Sequence, residues 1–247
     1  MTTQHDETAI STALRVTEEV ELRNPCYCEE NVWRLAYLRL HDEDVDKNMN
    51  YVLFVSNEEK CCPFLFQKAS DDPLQPCFWD YHVIFLTVSK ADKKILIWDM
   101  DSTLPYPCSI EQYINQTFEW YLDLIKEEFR EKFEPRFRLI LAHHYIQYFY
   151  SDRMHMYNRK NDTWNAPPPT YPCILNGIGR ISLESSESKD NSNKKDNISN
   201  LNEYIDMRIV SSDVSEKYNQ EYMAAQKMGI VLTLSFFRDF LNVMKQT

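Results

Sequence analysis

Phe78-Trp79-Asp80-Tyr81-His82-Val83-Ile84-Phe85-Leu86-Thr87-Val88 is followed by Ser89-Lys90-Ala91-Asp92 and then by Lys93-Lys94-Ile95-Leu96-Ile97-Trp98-Asp99-Met100. Two runs rich in β-branched and aromatic residues, parted by four residues, predict an antiparallel hairpin with a four-residue loop. That loop sets Val88 opposite Lys93, Leu86 opposite Ile95, Ile84 opposite Ile97 and His82 opposite Asp99. Side chains alternate faces along a strand, so His82, Ile84 and Leu86 share a face with Asp99, Ile97 and Ile95. A hairpin drawn without regard to chemistry therefore ends with a histidine beside an aspartate. A one-residue slip would send the two to opposite faces. A structural His–Asp pair explains the pattern as well as a catalytic one, so a third group has to decide.

That group lies about fifty residues upstream, in Pro25-Cys26-Tyr27-Cys28-Glu29-Glu30-Asn31-Val32-Trp33-Arg34-Leu35-Ala36-Tyr37-Leu38. From Val32 onward apolar residues recur at helical spacing, with Val32, Leu35 and Ala36 on one face. Pro25 and the two glutamates mark a helix start, and the helix is expected to run from Cys28 to about Leu40. Cys28 then sits at a helix N-terminus, where free N–H groups favour a thiolate. A buried structural cysteine is the competing reading.

Composition narrows the classes. The chain has 247 residues, 43% hydrophobic and 13% aromatic, enough for one sizeable core. Three glycines, with no GxGxxG or P-loop pattern, argue against a nucleotide cradle. A net charge of −11 disfavours nucleic acid or an anionic membrane as partner. No apolar run approaches membrane-spanning length and no secretory core opens the chain, so a soluble, intracellular, monomeric protein is expected, in the cytoplasm or in cytoplasm and nucleus. Seven cysteines in a reducing compartment should be mostly free thiols.

The rest of the chain fits a single catalytic domain over 1–247. Residues 1–23 form a flexible segment with a short helix near Ile10 to Leu22, and about 182–200 form a polar disordered insertion. Tyr51 to Val55 and Phe137 to Leu141 are strand candidates, and 56–77 reads as a long loop. Ser109 caps an amphipathic helix running through Tyr113 and Phe118 to Phe129, a stripe read as core packing. Further helices are expected over His143 to Tyr150, over Leu201 to Met207, and from Thr233 or Ser235 through Met244.

Cys28, His82 and Asp99 stand in the order nucleophile, base, orienter, on a helix and an antiparallel sheet. That is the layout of papain-like and transglutaminase-like cysteine enzymes: an α+β, α-β-α sandwich. The same triad would serve a peptidase or transamidase equally well. A metal module built on Cys26/Cys28 and Cys61/Cys62 is the other alternative, but no CxxC pair or matching His spacing supports it.

The motifs Cys26-Tyr27-Cys28-Glu29-Glu30-Asn31, Trp79-Asp80-Tyr81-His82-Val83 and Trp98-Asp99-Met100-Asp101 before Leu104-Pro105-Tyr106-Pro107-Cys108 resemble the protein N-terminal glutamine amidohydrolases. Ser56-Asn57-Glu58, Ser151-Asp152-Arg153 with His155-Met156, and Pro167-Pro168-Pro169 before Tyr171-Pro172-Cys173 are similar too. The resemblance implies a catalytic Cys28, His82 and Asp99, no metal and no organic cofactor. It implies hydrolysis of the side-chain amide of an N-terminal glutamine to glutamate and ammonia, on protein and peptide substrates, feeding the N-degron degradation pathway. Such a site must also read the substrate's α-ammonium. Glu29, Asp80 and Asp152 are the candidate carboxylates, with the loop residue Asp152 preferred.

Overall fold

The computed structural model describes residues 19, 21–119, 124–175, 198–208 and 220–246. Its strands are β1 (Asn48–Ser56), β2 (Cys62–Phe64), β3 (Cys77–Trp79), β4 (His82–Ser89), β5 (Ile95–Trp98), β6 (Cys108–Ser109), β7 (Arg136–Leu141), β8 (Tyr157–Asn158), β9 (Thr163–Trp164) and β10 (Ile230–Thr233). Its helices are α1 (Cys28–Leu40), α2 (Ile110–Ile114), α3 (Glu127–Phe133), α4 (Ala142–Tyr148), α5 (Leu201–Tyr204), α6 (Gln220–Ala225) and α7 (Leu234–Gln246). Six strands form one open antiparallel sheet in the order β10-β7-β1-β4-β5-β6.

Alternation along β1 divides the apolar side chains between two cores. Tyr51, Leu53 and Val55 join a layer closed by the α7 stripe Leu234, Phe237, Phe240, Leu241 and Met244. Val52 and Phe54 face the other way, toward Val32, Leu35 and Ala36 of α1 and Tyr145 of α4. Because both faces are covered, β4 is buried from His82 through Val88 and reads as a nearly unbroken apolar run. Phe54 stacks on Tyr204 at 5.2 Å and meets Tyr145 edge-on at 5.6 Å; truncating such a ring to alanine costs about 3–5 kcal/mol. The α+β class, with an antiparallel sheet flanked by helices, is as expected, and so are the bounds of α1.

The hairpin register differs from the expected one by two residues. Leu86 faces Ile97 and Val88 faces Ile95. Ser89, not Val88, closes the loop: its N–H donates to Lys94 O, and Lys93 N–H returns to Ser89 O. Lys93 takes a left-handed conformation (φ 58°), and the Asp92 carboxylate accepts from Lys94 N–H. The loop keeps its four residues but slides by one on both flanks, so every side chain stays on its expected face.

Other expectations need correction. Residues 56–77 are not all loop, since β2 pairs with β3. The long helix from Ser109 breaks: Ser109 Oγ does cap it, accepting from Gln112 N–H, but α2 stops at Ile114. A wider π turn over Asn115–Glu119 then turns Phe118 onto Phe64 and Phe137. The expected flexible segment 1–23 is packed at its end, where Glu19 pairs with Arg39 and Leu22 is buried. Of the polar insertion, 182–197 lie outside the described residues, whereas Asn200 is buried with its amide between Tyr148 O and Tyr150 N–H.

The edge strand β10 rests on one glycine. Gly229 has φ +69°, and a Cβ there would lie 2.1 Å from Leu139 O on β7. Gly229→Ala should therefore cost more than about 2 kcal/mol, lowering Tm by about 4–8 °C. Calorimetry showing a wild-type Tm would mean that β10 does not approach β7 this closely.

Candidate active site

Chain order and packing bring the end of one helix to the end of one strand. Cys28 is the first residue of α1 and His82 the first of β4. Val83 N–H donates to Cys28 Sγ, which fixes the thiol beside the start of β4. Both residues line a cavity of about 410 Å³, together with Trp79, Tyr81, Asp101 and His155.

His82 is 2% exposed and held on two sides, stacked on Trp79 (5.9 Å, 20°) and edge-on to Phe64 at 5.4 Å. Its Nε2 lies 2.9 Å from Asp99 Oδ1. This contact is not the cross-strand pair expected from the hairpin. With the observed register the ladder ends at Trp98, and the chain bends so that Asp99 Oδ1 also accepts from Asp101 N–H at 2.9 Å. Asp99 Oδ2 accepts from Tyr113 OH at 2.7 Å. With Nε2 committed to Asp99, Nδ1 is the ring nitrogen left for a reacting proton.

The electrostatics follow from those partners. Burial alone would lower the His82 pKa, but the carboxylate of Asp99, with those of Asp101 and Glu29, outweighs it and the imidazole is raised above its ordinary value. Burial alone would raise Asp99, yet His82, Tyr113 and the Asp101 N–H hold it below the usual carboxylate range. Cys28 departs from expectation. Burial, then the carboxylates of Glu29 and Asp101, push its thiol well above the ordinary value, against the single N–H of Val83. The helix terminus does not make a resting thiolate here, because α1 begins with acids that are themselves buried.

His82, Asp99 and Asp101 put three potential ligand atoms within 4.8 Å of one another. Several of these atoms are already engaged: Asp99 is tied to His82, Tyr113 and a backbone N–H, and Asp101 Oδ1 accepts from Arg23 Nε at 2.7 Å. The trio suits a hydrogen-bonded relay better than a metal shell. Among the described residues Cys26, Cys28, Cys61 and Cys62 do not gather into a group of ligand atoms.

Asp152 does not line the cavity. Its two oxygens accept from Met154 N–H in its own loop and from Ile198 N–H in a segment 46 residues away, tying the two together. Asp80 sits on the cavity wall with Oδ1 bonded to Tyr81 N–H. Sequence reasoning missed Tyr113, read only as core. It missed the position of His155, which a loop carries onto the cavity wall 3.5 Å from Glu29. That loop is clamped to α1 by Arg153, whose Nε and Nη2 each reach Glu30 at 2.7 Å. Only the pairing of Tyr113 with a carboxylate could have been suspected, from a polar tip on an otherwise apolar stripe.

Fold and site describe a hydrolase-type pocket, with a thiol and a carboxylate-oriented imidazole at its base. The profile of the N-terminal glutamine amidase family matches residues 23–241, and the chain belongs to that family of amidases. It is 38% identical over 168 residues to protein N-terminal glutamine amidohydrolase of Bos taurus, covering 68% of this chain and 77% of the relative. It is 37% identical over 166 residues to the protein of that name in Homo sapiens, covering 67% and 77%. It is 41% identical over 152 residues to the Drosophila ananassae one, covering 61% and 70%.

If Asp99 sets the proton affinity of His82, Asp99→Asn should lower kcat by on the order of 10²–10⁴-fold and move the acidic limb of the pH–rate profile to lower pH. Tyr113→Phe frees Asp99 to draw harder on His82, so it should cost up to about tenfold and move the limb upward. Both limbs staying at the wild-type position would show that the Asp99 contact does not tune the base.

Proposed function

We propose that the chain hydrolyses the side-chain amide of an N-terminal glutamine, giving N-terminal glutamate and ammonia through a Cys28 thioester. The supporting observation is that Cys28 and a His82 bound through Nε2 to Asp99 open onto one cavity in a member of the amidase family. The relatives of Bos taurus and Homo sapiens carry the name of that activity.

His82 Nδ1 takes the Cys28 thiol proton as Sγ attacks the carboxamide carbon. The oxyanion that forms meets the N–H of Cys28 at the start of α1. Trp79 supplies a second donor, because its buried indole N–H stands on the cavity wall without an acceptor. The carbon–nitrogen bond then breaks, and the departing amide takes the proton from His82 and leaves as ammonia. Water gives a proton to His82 and attacks the thioester; collapse returns the thiol and leaves a glutamate side chain. Asp99, with Tyr113 behind it, holds the imidazole and steadies its charged form. The helix, the sheet and the Cys-His-Asp order support a papain/transglutaminase-like core, and the product's new N-terminal glutamate suits a step in N-degron degradation.

Cys28→Ala should abolish ammonia release from a Gln-initiated peptide while the protein stays folded. Cys26→Ala should keep substantial activity, since Cys26 lies exposed before the helix. Equal loss from both would remove Cys28 as the nucleophile, and equal rates on Gln-initiated and internal-Gln peptides would favour a general acyl-transfer enzyme.

A further inference from the structure

The first turn of α1 carries two adjacent glutamates, each 0% exposed. Glu30 has a full counter-charge in the two-pronged contact from Arg153. Glu29 has no lysine or arginine partner among the described residues. Its Oε2 receives Tyr81 OH at 3.1 Å and the Cys28 thiol at 3.7 Å. Its Oε1 receives no hydrogen bond from the described residues. His155 Nε2 lies 3.5 Å from Oε1, and both ring nitrogens of His155 are also buried, with no hydrogen-bond partner among the described residues. Three unsatisfied polar atoms thus meet at one point behind the wall formed by Cys28, Tyr81 and His155. A native interior leaves few such groups, and a buried carboxylate without a cation is costly.

Resting on the glutamine-deamidase reading, we propose that Glu29, with His155 at the cavity wall, is the receptor for the substrate's α-ammonium. A primary ammonium brings three donors and one positive charge, the complement of a bare carboxylate oxygen and an imidazole lone pair. Four bonds separate the α-nitrogen of glutamine from its carboxamide carbon, a span of roughly 4–5 Å from standard bond lengths. Glu29 and Cys28 are neighbours whose side chains touch at 3.7 Å, so one residue of the substrate reaches both. Of the carboxylates that line the cavity, Asp101 is paired with Arg23 and Asp80 Oδ1 accepts Tyr81 N–H.

This assignment gives the ammonium a second task. Glu29 is the foremost carboxylate opposing ionisation of Cys28. Pairing Glu29 with a cation removes much of that opposition as the carboxamide arrives, so a capped or internal glutamine loses activation as well as grip.

The test is kcat/KM for a Gln-initiated peptide and for its desamino analogue, in which hydrogen replaces the α-ammonium. Wild-type protein should prefer the free amine by at least about a hundredfold, the scale of a charge-assisted contact left unmade. Glu29→Gln keeps an acceptor for Tyr81 and should cut that preference at least tenfold. In the free protein the same variant should speed alkylation of Cys28 by iodoacetamide near neutral pH, a response that a merely structural glutamate would not give. His155→Ala should lower the preference as well, and it decides the matter if Glu29→Gln fails to fold. An unchanged preference in the folded variants would overturn the assignment. No ammonia from either peptide with wild-type protein would overturn the deamidase reading instead.

Discussion

Two carboxylates taken out of water in consecutive positions are the constraint to which the rest of the site answers. Glu29 and Glu30 are fully buried at the start of α1, where the helix dipole favours them but far from repays their lost hydration. Glu30 is balanced from across the fold: Arg153 forks onto it and also donates to Pro169 O and Pro172 O. The guanidinium lies 4.9 Å from the Tyr171 ring centroid. One charge requirement on a helix therefore dictates where the 151–173 segment runs, and so places His155, Met156 and Asn165 on the cavity wall. Removing Arg153 would leave a buried charge alone, a loss on the order of 3–5 kcal/mol.

The opposite wall is built by a different logic, that of a relay kept dry. His82, Asp99 and Tyr113 are each buried, and each contact draws on the previous one: phenol to carboxylate, carboxylate to imidazole. Phe64 and Trp79 exclude water from the ring, so the Asp99 charge acts on His82 through a medium of low polarisability. The two walls hold unlike states: a histidine raised toward its cation and a cysteine held as a thiol. In the proposed mechanism the proton passes from that thiol to that imidazole as Sγ attacks, which makes charge brought by the substrate a natural trigger.

Much of this was legible from the chain because its signals are local. Cys28 to Leu40 showed helical spacing with an acidic start, and the hairpin runs showed β composition, so α1, β1, β4, β5 and β7 were readable. The His82–Asp99 contact was foreseen for a partly mistaken reason. Face parity survives a shift of two residues, and a bend after Trp98, not direct pairing, brings the carboxylate in. What stayed hidden depends on distant partners. The thiol's raised pKa follows first from burial, then from Glu29 beside it in the chain and Asp101 across the fold. Tyr113 looks like any core aromatic until Asp99 is set beside its hydroxyl. Asp152 looked free for a ligand and is consumed by two backbone N–H groups, one from its own loop and one from distant Ile198.

The clamp between Glu30 and Arg153 also sets a timetable. The two residues lie 123 positions apart, so during synthesis at 5–20 residues per second the helix bearing Cys28 waits about 6–25 s for its counter-ion to be made. Arg138 is made later and its wait is shorter, since its buried guanidinium donates to Tyr204 O, Asp206 O and Met228 O, which lie 66, 68 and 90 positions ahead. The nascent polypeptide thus carries its nucleophile early but gains a closed pocket only when its C-terminal third has left the ribosome. A truncated translation product would keep the motif and lack the enzyme.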